Sequence, residues 1–343
     1  MGTSKNSEIK AGDRDKRGSC MPQFFPRASY IVKAADMTLT LGERTLVMGI
    51  LNVTPDSFSD TGKYFGVEAS VRRAWEIAEE GADILDIGGE STRPGSAGIG
   101  VDEEISRVIP TLEALASGPK YPLPISVDTT KSEVARAALK HGAVIINDIS
   151  AMTSDPRIGT AVAEYGAALV MMHMRGTPQN MQTLPPSPDI LSEIDIWAKD
   201  AVARASGIGI SPDRIILDPG VGFGKTAAQN VEIIVNIKRI ADAGFPVLIG
   251  TSRKAFIGTL SGKPAHDRVF GTCATVAVSI LCGAHAVRVH DVAAAREAAD
   301  ITDVIARAGA SGRDLSRPII ITDEYLNAGV FIAPLQCKTW IRC

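Results

Sequence analysis

Nowhere in the 343 residues is there a run of about 18 apolar residues, the length that spans a bilayer, so no membrane partner is expected. Nor is one sign of charge in excess. Lys and Arg number 36 against 39 Asp and Glu, a formal net charge of −3, which gives no reason to expect nucleic acid or an anionic membrane surface as a partner. The N-terminus mixes Lys5, Glu8, Lys10, Asp13, Arg14, Asp15 and Lys16. It has no apolar stretch like a secretion signal, and its acidic residues argue against a transit peptide. None of the five cysteines (Cys20, Cys273, Cys282, Cys337, Cys343) forms a CxxC pair or stands near a histidine at metal-ligand spacing. Free thiols in a reducing cytoplasm are expected. The five histidines include no HExxH pattern, and His141 and His266 read as surface or cap residues. Gly220–Thr226 (GVGFGKT) resembles a nucleotide phosphate loop, but that pattern needs glycine at 219, where Pro219 stands.

What is present repeats. Short apolar runs occur at Leu46–Leu51, Ile84–Ile87, Ile125–Val127, Val144–Ile146, Ala168–Met172, Ile215–Leu217, Val247–Ile249 and Ala286–Val289. They read as parallel strands buried on both faces. Helical periodicity lies between them. Val71, Ala74, Trp75 and Ala78 share a face closed by Gly81; Val134, Ala137 and Ala138 share one closed by Gly142; Ile233, Ile234, Ile237 and Ile240 share a third. Eight strand–helix units predict right-handed crossovers closing into a single-domain α/β (β/α)8 TIM barrel over residues 41–310, with a doubly wound open sheet as the alternative. Residues 1–40 read as a disordered or loosely structured extension. Residues 311–343 read as a C-terminal extension of unknown role, with Pro318–Thr322 a candidate extra strand.

Polar residues follow each strand: Asn52 through Asp60, Gly88 through Gly95, Asp128, Asn147-Asp148, His173, Asp218, Gly250 through Lys254, and Arg288-Val289-His290. In a barrel these ends converge on one face, where such enzymes place their chemistry. Helix capping accounts for Asn147, Thr129 or Asp128 taken singly, but not for Lys254, Arg288 or His290. Asp128, Asn147, Asp218 and Lys254 make an acceptor-rich set suited to a flat heterocycle with adjacent N–H donors. Arg93, Arg253, Arg288 and His290 make a cationic set suited to phosphate or pyrophosphate. Asn52 and its loop offer neutral oxygens for Mg2+ shared with phosphate oxygens.

The segments MGILNVTPDSFSD (48–60), GADILDIGGESTRPG (81–95), ISVDT (125–129), INDIS (146–150), MMHMRGTPQNMQ (171–182), LDPGVGFGKT (217–226), GTSRKAFIG (250–258) and RVHDV (288–292) resemble the dihydropteroate synthases, of the pterin-binding barrel superfamily. The resemblance runs from about Met48 to Ala306. It implies condensation of 6-hydroxymethyl-7,8-dihydropterin pyrophosphate with 4-aminobenzoate to 7,8-dihydropteroate and pyrophosphate, through early ionisation to a pterin-stabilised cation, in an enzyme that is a sulfonamide target and a homodimer. By the same resemblance Asp128, Asn147, Asp218 and Lys254 hold the pterin, and Met172 packs on it. Thr92, Arg288 and His290 bind the anion, Asn52 contacts Mg2+, and Phe58, Pro94 and Phe223 wall the aminobenzoate pocket. Asp128, Asp218, Lys254, Arg288 and His290 are the expected catalytic groups. Two positions depart from the usual pattern: Thr61 replaces a glycine in the first loop, and Ala255 stands where Ser or Arg is common. Two rival readings remain at this level: a methyltetrahydrofolate-dependent methyltransferase partner of a corrinoid protein, and a catalytically silent pterin-binding scaffold.

Overall fold

The computed structural model describes residues 27–54, 63–91, 95, 96 and 98–310. Eight parallel strands follow one another around a ring: β3 (Leu46–Asn52), β4 (Ile84–Gly88), β5 (Ile125–Asp128), β6 (Ile145–Asp148), β7 (Ala168–Met172), β8 (Ile215–Asp218), β9 (Leu248–Ile249) and β10 (Ala286–Val289). Each pairs with its sequence neighbour, β10 pairs with β3, and a bridge between Leu217 and Val247 closes the ring. The architecture is therefore the expected (β/α)8 TIM barrel rather than an open sheet.

Helices wrap the outside: α1 (Lys63–Glu79), α2 (Val101–Ser117), α3 (Ser132–Lys140), α4 (Arg157–Tyr165), α5 (Ile190–Gly207), α6 (Ala227–Val235), α7 (Ile237–Ala241), α8 (Ala255–Ser261), α9 (Val269–Leu281) and α10 (Val292–Ala310). Strand side chains alternate between two apolar layers. Val47, Leu85, Ile87, Val127, Ile146, Leu169, Leu217 and Val287 face the helices, whereas Leu46, Met48, Ile84, Ile145, Val170, Ile216 and Leu248 fill the lower barrel. The isoleucines read as one helical face are split between α6 and α7 at Asn236, and all four are buried.

The expectation of loose structure through residue 40 fails for residues 27–40. Tyr30–Ala34 (β1) and Met37–Leu41 (β2) form an antiparallel hairpin, turning at Ala35 with φ +53°. Their alternation puts Val32, Ala34, Leu39 and Leu41 inward against Leu46, Met48 and Ile145, so the hairpin plugs the N-terminal end of the barrel. Arg27 anchors it. Its guanidinium donates to Asp303 Oδ1 (2.6 Å), Thr45 Oγ1 (2.6 Å) and the Ala284 carbonyl (2.8 Å). With one end stoppered by hydrocarbon, polar groups inside the barrel are confined to the other.

Candidate active site

Period-2 alternation builds the site. On five of the strands an inward residue is followed two positions later by a charged or amide side chain: Ile84 then Asp86, Ser126 then Asp128, Ile145 then Asn147, Ile216 then Asp218, Ala286 then Arg288. These side chains meet at the C-terminal mouth, with Asp128 and Asn147 level with one another and Asp86 one step below them.

Arg288 sits at the centre of this cluster. Its Nε donates to Asp86 Oδ2 at 2.6 Å and its Nη2 to Asp128 Oδ2 at 2.7 Å. Asn147 Nδ2 also donates to Asp86 Oδ2, at 3.2 Å. Flanking carboxylates raise the Arg288 pKa against the effect of its burial. Burial, with Asp86, Glu104 and Asp148 adding to it, pushes Asp128 up to about 7 despite Arg288.

Asp218 is also buried, and desolvation raises its pKa. Its Oδ1 accepts the Gly220 amide at 2.7 Å. Gly220 has φ +66°, and a Cβ there would overlap the His173 carbonyl oxygen, so only glycine lets the 219–224 loop turn back beside β7. Gly222 makes room for Lys254, whose Cδ would lie 2.9 Å from a Cβ at that position. The Lys254 ammonium stands 3.9 Å from the Phe223 ring centroid, a cation–π contact. Burial draws the Lys254 pKa down to about 8, opposed chiefly by Asp218. Phe223, Met172, Ile149 and Met181 form a small apolar cluster at the mouth. Met172 and Phe223 thus supply a greasy wall beside the charged cluster.

Asn52 closes β3 level with Gly88 on β4. A Cβ on Gly88 would be 3.6 Å from Asn52 Oδ1 and 3.8 Å from Asp128 Cβ, which puts the carboxamide on the Asp128 side of the mouth. His290 faces the same opening through Ser252. The Ser252 hydroxyl accepts from the His290 amide (3.1 Å) and contacts the ring Nδ1 (2.9 Å). Burial, with Arg288, Arg253 and Lys254 adding to it, lowers the His290 pKa to about 3.

The expected division into acceptors and cations is redrawn accordingly. Arg288 is locked among the acceptors, because two buried carboxylates need a counter-charge. His290 is held neutral, because burial, joined by the cations around it, opposes its protonation. Arg253 turns away to pair with Asp291 (Nε to Oδ2, 2.9 Å). Phe58, Thr92, Arg93, Pro94 and Thr61 lie outside the described residues.

Several buried polar groups at the mouth went unread in the sequence. Asp86 interrupts an otherwise apolar run, and a lone carboxylate within Ile-Leu-Asp-Ile is itself a signal, since a charge inside a buried strand needs a partner. Lys225 donates to the carbonyls of His173 (3.1 Å), Gly220 (2.8 Å) and Phe223 (3.0 Å), tying the glycine loop to the end of β7. Three carbonyl acceptors match an ammonium, while burial pulls its pKa down to about 7. Lys131 bridges Glu90 (2.6 Å) and buried Glu104, fastening the stem of the second loop to the start of α3. Asp148, already noted at its strand end, accepts the amides of Ser150 (2.8 Å) and Met152 (2.6 Å) and holds the turn in which Ala151 and Met152 have positive φ.

Among the described residues no group of three or more His, Cys, Asp or Glu is arranged to hold a metal ion, and no helix is long and apolar enough to cross a membrane.

Residues 48–290 match the family described as pterin binding enzyme. The chain is 44% identical to dihydropteroate synthase from Synechocystis over 78% of its own length and 92% of that protein's. Two solved structures are similar. One is Yersinia pestis dihydropteroate synthase in a sulfonamide drug complex (TM-score 0.75, 38% identity, covering 81% of this chain and 100% of that one). The other is Xanthomonas albilineans dihydropteroate synthase with 4-aminobenzoic acid (TM-score 0.74, 43% identity, covering 81% and 98%).

Proposed function

This chain belongs to the pterin-binding enzyme family, and within it we propose that the chain is a dihydropteroate synthase, joining 6-hydroxymethyl-7,8-dihydropterin pyrophosphate to 4-aminobenzoate with release of pyrophosphate. The observation that carries this is the cluster of buried Asp128, Asn147 and Asp218 with half-buried Lys254 and Arg288 against the Met172–Phe223 wall. Its depth and mixed donors and acceptors suit an aminopyrimidine-like edge, to which a carboxylate accepts two parallel N–H bonds.

On this reading the residues work electrostatically. Asp218 and Asp128 accept pterin N–H groups and stabilise positive charge developing on the ring as the carbon–oxygen bond to pyrophosphate breaks. Lys254, pinned by Phe223 and Gly222, holds the ring's acceptor side. His290 offers a ring N–H to the departing anion as a neutral donor, and Arg288 keeps a fixed positive charge at the cluster's centre. Thr92 and Arg93 are proposed as further anion contacts, and Phe58, Pro94 and Phe223 as walls for 4-aminobenzoate. The aniline is already neutral near pH 7, so its attack needs no general base. Sulfonamides would compete at the same wall.

Mg2+ fits in one form. Asn52 offers a single neutral oxygen with no carboxylate cluster around it among the described residues, too little to retain the ion alone but enough for one that arrives with phosphate oxygens and keeps its waters. When bound, the ion would offset charge on the leaving pyrophosphate. Chelation should abolish turnover while leaving the binding of a pterin without pyrophosphate unchanged, as read by calorimetry.

A homodimer is proposed on the apolar surface left on α8 and α9, where Leu260 is 66% exposed and Phe270 83%. A cytoplasmic setting accords with the free thiols Cys273 and Cys282. The deciding assay is incubation of purified protein with dihydropterin pyrophosphate, 4-aminobenzoate and Mg2+. Dihydropteroate and pyrophosphate are expected in equal amounts. Their absence, or methyl transfer from methyltetrahydrofolate to a corrinoid protein instead, would overturn the assignment.

A further inference from the structure

Asp86 lies below the pterin-binding cluster and is itself out of reach of any ligand, with 0% of its surface exposed. Yet one of its oxygens supports two binding groups from opposite sides of the barrel. Oδ2 accepts Arg288 Nε from β10 and Asn147 Nδ2 from β6. The other oxygen, Oδ1, is buried with no hydrogen-bond partner. The Ser126 hydroxyl, level with Asp86 in the β4–β5 register and on the same inward face, is likewise buried without a partner. A carboxylate kept inside a barrel at this cost, when an apolar residue would pack there more cheaply, calls for a use beyond stability.

Arg288 shows what that use is. Its second carboxylate, Asp128, is one of the groups assigned to the pterin, so pterin N–H donors and Arg288 compete for the same oxygens. Without Asp86, a ligand that drew Asp128 away would leave Arg288 with no fixed partner and free to follow Asp128 or fold over the pocket floor. With Asp86, Nε stays anchored while Nη2 gives way.

We propose that Asp86 is a positioning residue for the pterin site, a fixed counter-charge that holds Arg288 and Asn147 in place while the ligand takes over Asp128. The proposal rests on the pterin reading above. Asp86 touches neither substrate and acts through Arg288 and Asn147. It also bears on protonation at Asp128, which is faced by Asp86 from β4, Arg288 from β10, Lys254 from the start of α8, Glu104 from α2 and Asp148 from β6. Taking one negative charge from this group makes the Asp128 proton easier to lose.

The test is Asp86→Asn, which keeps the shape and one acceptor oxygen but removes the charge. Calorimetric binding of a dihydropterin should be followed from pH 5.5 to 9 in the wild type and the variant, with thermal melting as a control. A loss of affinity on the order of ten- to a hundredfold is expected, together with a shift of the acidic limb to lower pH. A variant that melts at lower temperature but binds with unchanged affinity and an unchanged acidic limb would reduce Asp86 to a structural role and overturn the proposal. A wild type that binds no pterin at any pH would instead remove the functional reading beneath it.

If Asp86→Asn does not fold, the comparison is between Arg288→Met and the double variant Asp86→Asn/Arg288→Met. With Arg288 gone Asp86 has lost its principal client, so the double variant should bind pterin no worse than Arg288→Met and should melt higher. A further full loss of affinity in the double variant would overturn the proposal.

Discussion

Arg288 on β10 spans the barrel mouth to Asp128 on β5, with Nη2 and Oδ2 2.7 Å apart, and this pair sets the charge state of the site's floor. Asp128 is pushed up to about 7 and Lys254 down to about 8. Below about 7 Asp128 gains a proton and can no longer accept two N–H bonds; above about 8 Lys254 loses its charge. A bell-shaped kcat/KM profile for the dihydropterin substrate is therefore expected, its limbs near 7 and 8 in the free enzyme. A flat profile between pH 6 and 9 would remove both groups from substrate recognition.

Asp218→Asn keeps the size of the side chain and an oxygen for the Gly220 amide but removes the negative charge. About 3 kcal/mol of transition-state stabilisation should be lost, on the order of a hundredfold in kcat/KM. The melting temperature should change little, because the buried carboxylate is itself costly to hold. Unchanged steady-state constants would dismiss the proposed role.

Gly220→Ala attacks the loop behind Asp218. The new methyl group must coexist with φ +66° and with the His173 carbonyl oxygen in its path. Strain of about 1–3 kcal/mol is expected, relieved only by moving the loop that carries Phe223 and Lys225. Thermal melting should fall and pterin affinity with it, whereas Gly207→Ala, with nothing within 4 Å of the added carbon, should leave binding intact.

Arg27→Ala tests the other end of the barrel. It strips a buried Asp303 of its cation and leaves the hairpin plug without its anchor. A loss of about 3–5 kcal/mol in urea unfolding is expected, with kcat of the surviving folded fraction near the wild-type value, since the plug lies opposite the mouth. A fall in kcat without a fall in stability would contradict that separation.

The eight barrel strands were legible because a strand buried on both faces is a contiguous apolar run, and each observed strand overlaps its predicted run. Asp128, Asn147, Asp218 and Arg288 were legible because position along a strand fixes where a side chain points, and Lys254 because it follows the seventh strand at the start of a helix. Who pairs with whom was not. That Arg288 joins the carboxylates and that His290 is neutral depend on packing across the barrel, which no spacing along the chain encodes. The hairpin is less legible, although Ile31-Val32-Lys33-Ala34 and Thr38-Leu39-Thr40-Leu41 alternate in and out, because these segments follow a charged lead-in and lie apart from the repeating units. Lys225 stands among glycines that resemble a phosphate loop, and its three carbonyl partners come together only once the loop has turned.

The barrel's last joint is its thinnest. β9 has two residues, and the seam between β8 and β9 is closed by the bridge from Leu217 to Val247. Asp218 follows Leu217 on one side of that seam, and Lys254 stands shortly past β9 on the other. A heterocycle gripped by both acts as a rivet across the joint. Occupancy then registers as resistance to local opening, and a compound that reached only one of the two would bind without closing the ring around itself.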